Sequence, residues 1–131
     1  MKSFVITSKT GEPYLTRYVL SETKYLHIIH RSDDDRDLHD HPWDFSSQIL
    51  HGSYVEVTPD GKRKTFKVGD VNFHKAEDAH CLVLNEGEVV TLVTLGPRRR
   101  EWGFHTAKGW VHHKDYLDEK FGFGKWTDTH D

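Results

Sequence analysis

The sequence has little of what holds a small secreted or membrane protein together. Its 131 residues include one cysteine, Cys81, so no disulfide can form within the chain. A lone cysteine, and the absence of an apolar signal segment near Met1, predict a reducing, cytoplasmic location. Apolar runs are far shorter than a membrane span, so we expect no membrane partner.

Charge of one sign is also scarce. The 18 basic and 21 acidic residues leave a formal net charge of −3, whereas a general polyanion binder carries a basic excess. We therefore expect no nucleic-acid partner, and a small-molecule substrate or ligand instead. The length suits one domain, residues 1–131, and is too short for a TIM barrel.

Strand-like patterning is abundant. β-branched and aromatic residues dominate short segments that are separated by turn-forming residues. These segments are 3–7, 14–20, 25–30, 48–57, 62–68, 71–74, 80–84 and 89–95. Gly52 interrupts one of them and predicts a bulge or bend. Strands of this length and spacing are typical of an all-β sandwich or barrel, whereas residues 114–120 predict one or two helical turns.

Histidine is the other abundant residue type, with 11 in the chain. It is the commonest protein ligand for transition metals. His39 and His41 are two residues apart, so on a strand their side chains point the same way. His80 begins a later strand, which a barrel can bring opposite the pair. His39 and His41, with His80 opposite them, are therefore candidate metal ligands.

The positions of these histidines resemble the two motifs of the cupin superfamily. His39, His41 and Gly52 match the first motif, and Gly69, Asp70 and His80 match the second. The resemblance covers about residues 26–96 and implies a double-stranded β-helix, or jelly-roll, barrel. The aromatic segment 97–131, with its short helix, lies outside the matched core. Cupins often dimerise, so the resemblance also implies a homodimer.

The sequence departs from the cupin pattern at one ligand. Phe45 occupies the position of the usual glutamate, so the resemblance implies three histidine ligands, as in the cupin thiol dioxygenases. Asp44 and His74 are candidates for an additional ligand. A three-histidine set leaves coordination positions open for substrate or O₂. We expect Fe(II), with zinc, manganese and nickel as alternatives.

Two further groups of residues are candidates for substrate binding. Arg98 and Arg100 share one side of an extended segment, and a guanidinium binds a carboxylate or phosphate through two nitrogens. A solvated charged loop is the alternative interpretation of these arginines. Trp43 and Phe45 point to the side of the predicted ligands, so they form either an apolar pocket wall or plain core.

Three functions remain open at this point. The first is a metal-dependent oxygenase, of the Fe(II) dioxygenase type, that acts on a small polar or anionic metabolite. The second is a metal-dependent sugar isomerase or epimerase, and the third is a non-catalytic module that binds a small ligand. Bound metal separates the first two from the third, and a requirement for O₂ separates the first from the second.

Overall fold

The computed structural model describes residues 2–7, 12–32, 38–115 and 125–128, without the side chains of residues 7 and 125–128. The strands of this part of the chain are β1 Lys2–Thr7, β2 Pro13–Val19, β3 Lys24–Ile29, β4 Leu38–His39, β5 Phe45–His51, β6 Ser53–Val57, β7 Arg63–Lys67, β8 Val71–His74, β9 Cys81–Leu84, β10 Val89–Leu95, β11 Gly103–Thr106, β12 Gly109–His112 and β13 Lys125–Asp128. One helical turn covers residues 113–115. Within the described residues, no helix is long and apolar enough to cross a membrane.

A seven-stranded antiparallel sheet forms one layer of the fold. Its strand order is β13-β1-β2-β3-β10-β5-β8. Alternate residues of β10, from Val89 to Leu95, are buried, while the residues between them are partly exposed. This period of two is expected where one face of a strand packs on a core and the other faces solvent.

Two three-stranded sheets, β12-β11-β4 and β7-β6-β9, form the opposite layer. They meet at a bridge where the backbone N–H groups of His39 and His80 each donate to the other residue's carbonyl oxygen at 3.0 Å. The core between the layers contains Tyr14, Leu15, Ile29, Ile49, Tyr54, Phe66 and Val89. Both layers contribute to this core, and the prediction of an all-β fold is confirmed.

Gly52 lies where the chain leaves the seven-stranded sheet at the end of β5 and enters the opposite layer in β6. Its φ is +78°, a conformation that glycine adopts without steric cost. A Cβ atom on this residue would lie 2.7 Å from the carbonyl oxygen of Glu88. The register of β10 against β5 also shifts here, between Val90 and Thr91. The predicted bend at Gly52 is therefore confirmed.

The C-terminal segment differs most from the sequence prediction. β11 and β12 form a hairpin that pairs with β4, where the sequence predicted no strands. β13 pairs with β1 and forms one edge of the seven-stranded sheet. Of the helix predicted over 114–120, the structure shows a single turn at 113–115, and residues 116–120 lie outside the described part of the chain.

Candidate metal centre

Three histidine side chains converge in the opposite layer, beside the bridge between its two sheets. His39 ends β4, His41 follows two residues later, and His80 precedes β9. Their ring centroids are 4.7–5.1 Å apart, with interplanar angles of 68–89°. One ligand atom from each lies within 4.8 Å of the others, so this group could hold a divalent metal ion.

The backbone around His41 is fixed by the loop that precedes His80. The N–H of His41 donates to the carbonyl oxygen of Ala76 at 2.9 Å. Ala76 is fully buried, and its own N–H donates to Asp44 Oδ1 at 2.8 Å. These bonds join the two sequence motifs, so His41 and His80 are brought together by backbone contacts rather than by their side chains alone.

The electrostatics of His41 favour a neutral imidazole. Burial lowers its pKa well below the usual value, and the neighbouring rings of His80, His39 and His74 lower that pKa further. A neutral ring keeps the lone pair that a metal ion needs. The buried Nδ1 atom of His41 has no hydrogen-bond partner among the described residues, which is unusual for a buried polar atom. The residues therefore fit a metal ion.

Glu56 is the residue of this site that the sequence analysis missed. It lies on β6 and is 6% exposed. Its Oε2 atom accepts hydrogen bonds from Asn72 Nδ2 at 2.7 Å, His74 Nε2 at 2.6 Å and His80 Nδ1 at 2.8 Å. The only available signal was its position two residues after buried Tyr54 in an alternating strand, since the cupin motifs place the usual glutamate at position 45.

The charge of Glu56 determines which nitrogen of His80 faces the metal position. Burial opposes ionisation of Glu56, but hydrogen bonds from His74 and His80 outweigh it and hold the pKa of this carboxyl far below its usual range. An ionised carboxylate only accepts hydrogen bonds, so His80 donates from Nδ1. The lone pair of His80 then lies on Nε2, and Glu56 orients the ring as an outer partner of the metal ligand.

His74, predicted as an additional ligand, lies in an overlapping cluster with Glu56 and His80. Its ring centroid is 6.2 Å from that of His41, which is farther than any distance within the three-histidine group. The Glu56 oxygen in this cluster already accepts three hydrogen bonds. The two clusters share His80, and only in the three-histidine cluster are all three ligands imidazoles.

Asp44, the other predicted additional ligand, is placed elsewhere. Its side chain is 48% exposed and pairs with Arg99 at 2.6 Å. The backbone N–H of Ala76 and then Arg99 lower the pKa of Asp44. Asp44 belongs to neither potential metal group among the described residues. It fixes the loop at Ala76 instead.

A cavity of about 830 Å³ opens beside the three histidines and extends into the space between the layers. Trp43 and Phe45 are among the residues that line it, and the ring centroid of Phe45 lies 4.5 Å from that of His41. Of the two roles that the sequence left open for them, this position corresponds to the pocket wall. Arg98 lines the cavity and pairs with exposed Glu101. The cavity is also lined by Arg17, His27, Trp102, Phe104, His113 and Lys114. The sequence analysis assigned Arg17 and Lys114 no binding role.

Arg100 is not among the described residues that line the cavity. Its guanidinium pairs with Asp40 at 3.0 Å, and Asp40 is 1% exposed. The same carboxylate accepts hydrogen bonds from the Gly103 N–H at 2.8 Å, His105 Nε2 at 2.9 Å and Trp110 Nε1 at 3.1 Å. Arg100 thus neutralises a buried carboxylate that ties the β11–β12 hairpin to the histidine motif.

No family model and no curated protein matches this sequence. Solved structures do resemble the fold. One is Fe(II) HppE, which is 12% identical with a TM-score of 0.61, and the match covers 71% of this chain and 55% of that chain. This chain thus spans about half the length of that protein.

Two further structures match at similar levels. KdgF from Halomonas sp. is 18% identical with a TM-score of 0.55, and the match covers 67% of this chain and 84% of that one. The DMSP lyase DddQ from Ruegeria pomeroyi DSS-3 is 18% identical with a TM-score of 0.53, with 76% and 49% covered. These likenesses establish the fold, a cupin-type β-barrel.

Proposed function

We propose that this chain is a metal-dependent enzyme that holds one Fe(II) ion through His39, His41 and His80 and oxidises a small polar or anionic metabolite with O₂. The observation that carries the proposal is the convergence of three nearly perpendicular imidazoles at the wall of a cavity large enough for a substrate. A dioxygenase reaction places both oxygen atoms of O₂ in the product and needs no external reductant. The similar protein HppE was solved with Fe(II).

The residues of the chain have separate roles in this proposal. A bound Fe(II) ion supplies redox chemistry and open coordination positions. Burial keeps His41 neutral, and Glu56 holds the proton on His80 Nδ1. The rings of Trp43 and Phe45 lie beside that of His41 and also line the cavity, so they would give a substrate an apolar wall next to the metal position.

Metal analysis of the purified protein tests the ligand set. We would purify the wild type, His41→Ala and His51→Ala without added metal or chelator, and measure bound metals by elemental analysis. His51 is exposed on β5 and is the matched histidine control. We expect close to one iron per chain in the wild type and in His51→Ala, and loss of the metal in His41→Ala. A full metal complement in His41→Ala would show the ligand assignment to be wrong.

The isomerase or epimerase alternative uses the same ligands without redox chemistry. One similar structure is a lyase by name, so this fold also serves reactions other than oxidation. Substrate turnover with and without O₂ separates the two proposals, because an isomerase works anaerobically and tolerates zinc or manganese. The third candidate, a non-catalytic binding module, is favoured if the cavity binds ligands and no metal is held after reconstitution.

The predicted homodimer, the cytoplasmic location and the absence of nucleic-acid and membrane partners stay predictions. Light scattering combined with size-exclusion chromatography measures the mass of the assembly directly. A mass of twice 15.3 kDa would support the dimer, and a mass of 15.3 kDa would contradict it.

A further inference from the structure

Arg17 lies on the inner face of the seven-stranded sheet. The three histidines belong to the opposite layer. Arg17 belongs to β2, where it pairs in register with Phe4 of β1 and His27 of β3. All three side chains line the same cavity as the histidine cluster. Arg17 is therefore a cation on the cavity wall, contributed by the seven-stranded sheet.

The guanidinium of Arg17 is held in place on one edge only. Its Nε–H donates to His27 Nε2 at 3.0 Å. Its Cζ atom lies 4.4 Å from the ring centroid of Tyr25 and 5.9 Å from that of Phe4, distances at which a cation is attracted to a ring face. Among the described residues, no hydrogen bond engages Nη1 or Nη2. These two nitrogens form the fork that binds two oxygens of a carboxylate or a phosphate-type group.

Among the described residues that line the cavity, no carboxylate is available to neutralise Arg17. Asp40 is the acidic residue among its described lining residues, and that carboxylate is already paired with Arg100 and His105. Arg17 forms no ion pair within the described part of the chain. Burial lowers its pKa, against a smaller opposing effect of Tyr25, but a guanidinium stays protonated in proteins. A desolvated charge without a counter-ion is costly.

We propose that Arg17 binds the oxyanion of the small molecule that occupies this cavity, a carboxylate or a phosphonate. This inference rests on the proposed function and identifies its substrate class. It assigns the role to Arg17, because Arg98 pairs with Glu101 and Arg100 pairs with Asp40.

The cavity wall also gives the bound molecule a direction. The ring of Tyr25 contacts that of Trp43 with centroids 6.2 Å apart, and Trp43 stacks on His41 at 6.2 Å. An aromatic wall thus leads from the Arg17 guanidinium to the three histidines. A ligand anchored by its charged end at Arg17 extends its uncharged end towards the metal position.

Ligand binding to the metal-free protein tests this proposal without any contribution from the metal. The probes are hexanoate, hexylphosphonate and the neutral analogue hexanol, with binding followed by tryptophan fluorescence, since Trp43 and Trp102 line the cavity. The variants are Arg17→Met, Arg17→Lys and the control Arg63→Met, an exposed arginine on β7. We expect the wild type to bind at least one of the two anions more tightly than hexanol.

In Arg17→Met, the affinity for that anion should fall about 10- to 100-fold, as expected for lost hydrogen bonds to a charged group. Hexanol binding should stay unchanged in Arg17→Met, and anion binding should stay unchanged in Arg63→Met. The variant Arg17→Lys keeps the charge and loses the fork, so its affinity should be intermediate. It decides the question if Arg17→Met does not fold. The ratio of hexanoate to hexylphosphonate affinity identifies the oxyanion.

Two results would overturn the proposal: equal affinity of the wild type for both anions and hexanol, or undiminished anion affinity in the Arg17 variants. Metal titration of the same proteins keeps the two proposals separate. Arg17-dependent anion binding in a chain that holds no metal would contradict the proposed enzyme and leave this inference standing. Metal binding without Arg17-dependent anion binding would contradict this inference and leave the proposed enzyme standing.

Discussion

Glu56 shows how a single buried carboxylate organises this site. It accepts hydrogen bonds from Asn72, His74 and His80, and these bonds keep it ionised despite its burial. An ionised Glu56 fixes the tautomer of His80, and that tautomer decides which nitrogen can bind a metal. The residue therefore acts on metal affinity through His80, and it does not have to touch the ion.

We expect Glu56→Gln to weaken metal binding by about 10- to 100-fold, as outer partners of metal-bound histidines commonly do. The neutral amide no longer stabilises the donated proton on His80 Nδ1, although its shape is nearly the same. Competition with a chelator of known affinity measures the change. Glu86→Gln, at an exposed turn, is the matched control. Equal affinity in both variants would show that Glu56 has no orienting role.

His27 provides a prediction about pH at the same scale. Burial, and then the charge of Arg17, hold the pKa of His27 well below 6.5. The unfolded chain therefore binds a proton here more readily than the folded one. The stability from neutral His27 is fully present above the unfolded pKa of about 6.5, and falls as the pH drops below it.

The variant His27→Gln removes this contribution, so its stability should fall less steeply between about pH 6.5 and about pH 5. Urea unfolding across that range measures the slope, and the slope that remains belongs to other groups such as His41. An unchanged slope in His27→Gln would show that His27 does not resist protonation in the folded state.

At the scale of elements, the turn between β5 and β6 and the β11–β12 hairpin determine where the histidines lie. Gly52 redirects the chain between the two layers and brings Glu56 opposite His80. The hairpin is tied to the histidine motif through Asp40, which accepts hydrogen bonds from Gly103 and Trp110. Both features set the path of the backbone, so we expect substitutions there to lower the free energy of unfolding.

Gly52→Ala should destabilise the fold more than Gly61→Ala. Both residues have a positive φ, +78° and +79°, which costs an alanine about 1–2 kcal/mol. A Cβ at Gly61 meets nothing within 4 Å, whereas at Gly52 it would lie 2.7 Å from the Glu88 carbonyl oxygen. We expect this contact to cost about 1–3 kcal/mol more. Equal free energies of unfolding in urea would contradict a role for the close approach.

Asp40→Asn should destabilise the fold by about 3 kcal/mol or more, because it leaves the partly buried guanidinium of Arg100 without its counter-charge. The exposed pair between Arg31 and Glu12 is the comparison, since Glu12→Gln should cost less than about 1 kcal/mol. Chemical unfolding measures both variants. Similar costs for the two would show that burial of Asp40 does not strengthen its role.

At the scale of the whole molecule, a cavity lies between two antiparallel layers, and each layer contributes a different chemical group to it. The seven-stranded sheet contributes Arg17, and the opposite layer contributes the three histidines. The histidine group joins two separate three-stranded sheets at the bridge between His39 and His80. Ligand binding there should therefore stabilise the entire fold and not only one loop.

Added metal should raise the melting temperature of the chelator-treated protein. A ligand that binds only the folded state adds about 2.7 kcal/mol of stability when its free concentration is about 100 times its Kd. Calorimetry with and without Fe(II), under anaerobic conditions, measures the shift. The shift should disappear in His39→Ala and persist in His51→Ala. A shift of the same size in His39→Ala would place the metal elsewhere.

The sequence by itself determined the fold class, the main strands, the bend at Gly52 and the group of three histidines. These features follow from local patterns: the period of two in a strand places His39 and His41 together, and turn residues delimit the strands. Motif spacing linked His80 to that pair.

Only the tertiary structure decided which groups surround those histidines. Arg17 and the β11–β12 hairpin are distant from the motifs along the chain, and Glu56 lies between the two motifs. All three reach the site through strand pairing and layer packing. Their local sequence gives no sign of those contacts, because a strand's period shows which side a residue faces but not what it faces. For the same reason Asp44 and Arg100, which were candidates for a ligand and a substrate clamp, have partners in Arg99 and Asp40 instead.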